Sequence, residues 1–203
     1  MTHLSFSVRN EKLVSTNKFI FRSVGNMREL VKKYQKGVKV KFGENEAKIS
    51  SELMKFQKYY YIVADITQDI DFLSPCGASK IHDNVALIIR NKELLKQIGL
   101  STEERKAVYC HELGHVFSKN QSNNKKSERQ IKDEIDSDTF AVKECKIDPK
   151  VLESALKKTY VYEIKQVPKK KNITKERIDR FVDEMRQRKK NIEKLIHDVE
   201  PGL

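Results

Sequence analysis

The stretch that most constrains this chain is His111-Glu112-Leu113-Gly114-His115. On a helix, residues four apart lie one turn above each other on the same face, so both imidazoles can reach one metal ion. That geometry suits zinc. Glu112 is placed to reach a water at an open fourth position and take its proton, which would make it a general base. The local sequence favours a helix here. Ser101 with Glu104 three residues on reads as a capping box, and no proline interrupts Thr102 to Ser118. Gly114 leaves room for another element to approach closely.

A catalytic zinc needs a third protein ligand. After Ser118 a polar run, Lys119 to Arg129, has no apolar periodicity and reads as an exposed loop. The segment Lys132-Asp-Glu-Ile-Asp-Ser-Asp-Thr-Phe-Ala-Val-Lys-Glu-Cys145 then reads as a helix with Glu134 and Asp138 on one face. Glu134 completes a set of two histidines and one glutamate. Asp138 can accept from the free ring nitrogen of a ligating histidine and fix its tautomer. Cys110, about 100° around the helix from His111, reads as a core residue.

The histidine motif followed by Glu-x-x-x-Asp on a second helix resembles the gluzincin class of zinc metallopeptidases. Asp138 to Lys158 is similar to the corresponding segment of the family of the CAAX prenyl protease and the bacterial heat-shock membrane protease. That family carries Ala-Asp where this chain has Ser137-Asp138. Glu134 to Ala141 also resembles the ImmA/IrrE type of peptidase, which clears phage-type repressors; the Leu-Leu-Met-Pro expected next is replaced by Glu144-Cys-Lys-Ile-Asp-Pro149. The resemblance covers roughly residues 85 to 158. In zincins the strand before the metal helix is commonly an edge that pairs with an extended substrate, so Val85, Leu87 and Ile89 are expected to form a peptide-binding edge, with an interior strand as the alternative.

No window approaches the roughly 18 uncharged apolar residues of a membrane-spanning helix, a departure from the membrane proteases. The N-terminus lacks a basic region followed by an apolar core. Three cysteines without paired spacing fit a reducing compartment, and a cytoplasmic location is expected. A formal net charge of +12 could steer the chain to nucleic acid or an acidic partner. The lysines are dispersed with few interleaved aromatics, so nucleic acid is possible but not favoured.

Elsewhere, short strands are expected within residues 1 to 25, a helix at Asn26 to Lys36, a strand at Val38 to Phe42 and a helix at Glu46 to Phe56. Strands are expected at Tyr59 to Ile66 and Asn84 to Arg90, and at Tyr160 to Ile164 after the helix from Val151 to Lys158. Gln166-Val-Pro-Lys-Lys-Lys-Asn172 reads as a basic linker. Thr174 to His197 reads as an amphipathic helix with Ile178, Phe181, Val182, Met185, Ile192, Leu195 and Ile196 on one stripe. Its basic face includes Arg177, Arg180, Arg186, Arg188, Lys189 and Lys190.

The expected fold is α+β: a zincin-like metallopeptidase core with a small twisted sheet, a metal helix and a Glu134 helix, plus a C-terminal amphipathic helix. Residues 1 to 165 would form the peptidase domain, with residues 1 to 80 unassigned in detail, and 166 to 203 the linker and helix. The expected function is hydrolysis of peptide bonds in a protein or peptide substrate. Zn2+ would be held by His111, His115 and Glu134, with Glu112 as base and Asp138 orienting a ligand. Oxyanion stabilisation would come from Tyr160, Tyr162 or His82. The alternatives are a zinc-stabilised regulator that binds nucleic acid or protein without peptidase activity, and a protease dedicated to cleaving a repressor.

Overall fold

The structure is a computed structural model, and it describes residues 34–42, 45–66, 75–118, 126–166 and 174–199. The strands expected in residues 1–25, most of the helix expected at 26–36, and residues 167–172 of the linker lie outside these. The fold is α+β, in two compact units, one ending at Leu95 and the other starting at Lys96.

The first unit is built on a mixed six-stranded sheet. Its strands are β1 (Lys39–Phe42), β2 (Asn45–Ile49), β3 (Met54–Phe56), β4 (Tyr59–Ile66), β5 (Cys76–His82) and β6 (Val85–Arg90). The order is β1-β2-β4-β6-β5, with β3 also pairing β4. The β4–β6 pair is parallel, with Ile62 opposite Leu87, and the remaining pairs are antiparallel. Tyr34, Val40, Ala47, Ile49, Ile62, Ala64, Ile81, Val85, Leu87 and Ile89 form the core cluster of this unit.

Two expectations fail here. Glu46 to Phe56 is two strands rather than a helix. Ala47 and Ile49 are buried while Lys48 between them is exposed, the two-residue period of a strand laid beside β1. At the break after β2, Ser51 Oγ accepts a 2.8 Å bond from the Val63 amide and Ser50 Oγ donates to the Val63 carbonyl, so the two serines satisfy the backbone of β4.

The second correction concerns Val85, Leu87 and Ile89. The strand that carries them lies between β4 and β5 and offers no free edge. All of Val85 to Ile89 is buried, with Ala86 and Ile88 pointing to the opposite face from Val85, Leu87 and Ile89. Continuous apolarity without alternation is the signature of an interior strand.

Helix α1 (Lys92–Ile98) starts where Asn91 Oδ1 accepts from the Leu94 amide, and it ends at Gly99, whose φ of +76° suits a helix stop. The second unit is helical. Helix α2 (Thr102–Phe117) opens with the expected capping box. The Ser101 amide donates to Glu104 Oε2 at 2.7 Å and the Glu104 amide to Ser101 Oγ at 3.2 Å. Helix α3 (Lys126–Lys143) begins inside the polar run expected to be a loop. Helix α4 (Pro149–Gln166) runs straight through the expected strand at Tyr160 to Ile164. The reason is burial at helical spacing: Leu152, Ala155, Leu156, Thr159 and Tyr160 all face inward.

Helix α5 (Lys175–Val199) packs on both α3 and α4, and α2 packs on the same two helices. Its inward stripe is not the one the apolar pattern suggests. Ile192 and Leu195 are buried as expected, but Ile178 and Val182 are exposed, and Glu184 and Arg188 point inward. Arg188, placed on the basic face by its charge, has no exposed surface. No helix among the described residues is long and apolar enough to cross a membrane.

Candidate metal centre

The helical spacing of His111 and His115 on α2 does what it predicts. The two rings stand edge to face with centroids 4.7 Å apart, and their Nε2 atoms approach to 3.0 Å. Glu134 of α3 reaches the same point, with Oε2 3.2 Å from His111 Nε2 and Oε1 3.5 Å from His115 Nε2. Ligating atoms of all three residues lie within 4.8 Å of one another.

The approach of α3 to α2 depends on Gly114. A Cβ at that position would come 2.6 Å from the Ser137 Cα and 2.9 Å from its Cβ. Beside this contact the outward nitrogen of each imidazole finds a partner on α3. His111 Nδ1 is 2.8 Å from Asp138 Oδ1, and His115 Nδ1 is 3.0 Å from Ser137 Oγ.

The donor set fits a cation. Two imidazole nitrogens with their other ring nitrogens bonded elsewhere, facing a carboxylate, can direct lone pairs at one point once both Nε2 atoms are free of hydrogen. Tetrahedral zinc, with bonds of about 2.0–2.2 Å, separates neighbouring ligand atoms by about 3.3 Å, and the separations here bracket that value. Glu134 Oε1 is buried without a hydrogen-bond partner. An unpartnered buried acceptor is costly, and a cation at the convergence point would satisfy it.

The charges around the centre are arranged by burial and by Arg188. Arg188 Nε and Nη2 each donate to Asp138 at 2.8 Å, and Nη1 donates to Glu134 Oε2 at 2.8 Å. Burial alone would push both carboxyls up. Arg188 and the histidines outweigh it and hold Asp138 below, and Glu134 well below, the usual carboxylate range. Burial and Arg188 oppose a charged His111, but its bonds to Asp138 and Glu134 win and raise it to about 9. Glu112 has 1 % exposure and an Oε1 without a partner; burial lifts its pKa to about 8. A cation held by the neighbouring ligands would draw that value down.

Sequence reasoning missed Arg188 and Glu184, whose Oε1 is 3.6 Å from Arg188 Nη1. Their position in the inward series Phe181, Glu184, Arg188, Ile192, Leu195 was the available signal. Tyr160 belongs to this network too. Its ring stacks edge-on against Phe181, the Arg188 guanidinium carbon lies 5.8 Å from its centroid, and its buried hydroxyl has no partner. Tyr162 is engaged elsewhere, donating to Gln97 Oε1 at 2.8 Å. His82 is part of β5 in the first unit. Cys110 is buried as a free thiol, and its hydrogen bond with the Cys145 thiol together with burial raises it well above its ordinary range, as an inert core residue requires.

No protein-family model, curated protein or solved structure matches the chain.

Proposed function

We propose that the chain is a zinc-dependent endopeptidase of gluzincin type. The six-stranded sheet, α2 and α3 would be its zincin-like core. The observation that carries this reading is the convergence of His111 Nε2, His115 Nε2 and Glu134 beside a buried carboxyl, Glu112, with an unpartnered oxygen. A zinc that served only to hold the fold together would have no use for that carboxyl, which costs stability by being buried.

Zinc held by His111, His115 and Glu134 would supply Lewis acidity toward a peptide carbonyl and an attacking water. Glu112 takes the water's proton and delivers it to the leaving amine. Asp138 orients His111, and Arg188 holds Asp138 and Glu134 in place by donating to both carboxylates. Tyr160, kept as a phenol by its burial, is the candidate oxyanion donor tied to this network.

The test is a survey of new protein N-termini after a cell lysate is incubated with the zinc-loaded protein, in parallel with Glu112→Gln. New termini made by the unaltered protein alone are expected. If both proteins carry zinc and neither produces new termini, the peptidase reading fails. The number of termini separates a broad enzyme from one dedicated to a single protein such as a repressor.

A further inference from the structure

For an imidazole to bind a metal through Nε2, its proton must sit on Nδ1, and the partner of Nδ1 decides whether it does. The partner of His111 settles the matter, because the Asp138 carboxylate can only accept. His115 is different. Its Nδ1 partner is the hydroxyl of Ser137, which can donate or accept, and its Nε2 lies 3.0 Å from His111 Nε2, which can do either as well, so neither contact by itself fixes the proton.

What fixes it is where Ser137 spends its own hydrogen. Ser137 Oγ lies 2.8 Å from the carbonyl oxygen of Asp133, one turn earlier on α3, and a carbonyl can only accept. The hydroxyl has one hydrogen. With that hydrogen on Asp133, the oxygen turns a lone pair to His115, whose Nδ1 must then carry the proton.

Two further facts make this a built arrangement. Ser137 has no exposed surface, so bulk water does not compete for either bond. Its closeness to α2 exists because residue 114 has no side chain, the backbone there lying where any Cβ would collide with Ser137.

We infer that Ser137 is a positioning residue for the metal centre: by relaying a hydrogen bond from His115 to the Asp133 carbonyl it holds His115 in the tautomer whose Nε2 lone pair faces the metal. The inference rests on the metal-site reading but does not share its test. Removing the hydroxyl takes away the acceptor that Ser137 offers the Nδ1–H. The ring then shifts toward the other tautomer, which puts a hydrogen where the metal binds.

The experiment uses the metal-free full chain, isotopically labelled at histidine, at a pH where its imidazoles are neutral. Long-range nitrogen–proton NMR spectra report which ring nitrogen of His115 is protonated. The Nδ1–H form is expected, shifting toward Nε2–H in Ser137→Ala. Competition for Zn2+ against a chromophoric chelator is expected to show a 10- to 100-fold weaker affinity in that variant, on the order of other losses of ligand-orienting partners. A His115 that is Nε2–H in the unaltered protein overturns the inference even if Ser137→Ala cannot be purified folded. So does a Ser137→Ala protein that binds zinc as tightly as the original. Absence of zinc binding by the unaltered protein, with His115 in the Nδ1–H form, would instead defeat the metal-site reading and leave the relay standing.

Discussion

Arg188 Nη1 lies 2.8 Å from Glu134 Oε2, and neither side chain has any exposed surface. A charge pair at that depth stands or falls together, because removing one partner strands the other in a low-dielectric interior. Arg188→Met should therefore lower stability by about 3–5 kcal/mol. Zinc should restore part of the loss, since it supplies positive charge to the same carboxylate. Urea unfolding with and without zinc checks both statements, and an unchanged midpoint in the metal-free variant would contradict the buried pairing.

Glu112 is the opposite case, a buried carboxyl whose Oε1 has no partner and which the proposed chemistry would use as a base. Glu112→Gln should keep the zinc content of the original protein while cleavage falls by roughly 10²–10⁴-fold. Zinc analysis and cleavage of a labelled unfolded protein provide the comparison. A variant that still cuts at near-native rate would remove Glu112 from the role of base.

Zinc should also act as a stabilising ligand of the folded chain. At about 100 times its dissociation constant it should add roughly 2.7 kcal/mol, seen as a raised unfolding midpoint that a chelator reverses. Glu134→Gln, which keeps the shape of the side chain but loses its charge, should lose most of this response.

The acid limb of the stability curve should carry a contribution from Glu104. Burial would raise this carboxyl, but bonds from Lys158, the Ser101 amide and Ser154 overcome it and bring the pKa down to about 2. A carboxyl depressed in the folded state stabilises above its ordinary value of 4.5, and the contribution is lost as pH falls toward 2. Because Lys158 is 42 % exposed, the amount is on the order of 2 kcal/mol after screening. Glu104→Gln should flatten the curve over that interval and leave the zinc affinity alone. An identical acid limb in the variant would show that Glu104 does not contribute.

Gly114→Ala should cost about 1–3 kcal/mol, because its Cβ meets Ser137 backbone that cannot step aside. It should weaken zinc binding as well, by pushing Glu134 and Asp138 away from the histidines. Chelator competition beside thermal unfolding separates the two effects.

The cluster is legible because its residues obey helical spacing. His111 with His115, and Glu134 with Asp138, are each one turn apart, and no tertiary knowledge is needed to put each pair on one face. Ser137 and Arg188 were not read in this way, for different reasons. Ser137 stands out only when α3 is seen against Gly114. The rule that charge stays outside assigns Arg188 to solvent, and that rule gives way where two buried carboxylates need a counter-charge. The sheet shows a similar contrast. The aromatic and β-branched run of β4 announces a strand, whereas β6 carries the unbroken apolarity of an interior strand and only the analogy with zincins suggests an edge. The helix expected over Glu46 to Phe56 failed because local spacing in a short apolar series cannot tell helix from strand, and pairing with β1 and β4 decided it.

The bidentate bond from Arg188 to Asp138 joins residues 50 positions apart in the chain. On a translating ribosome the histidines, Glu134 and Asp138 emerge well before the segment that neutralises them. Without that segment the two carboxylates lack their guanidinium partner. The charge-balanced centre is therefore complete only when α5 is in place, and a fragment that ends before it has the carboxylates but not their counter-charge.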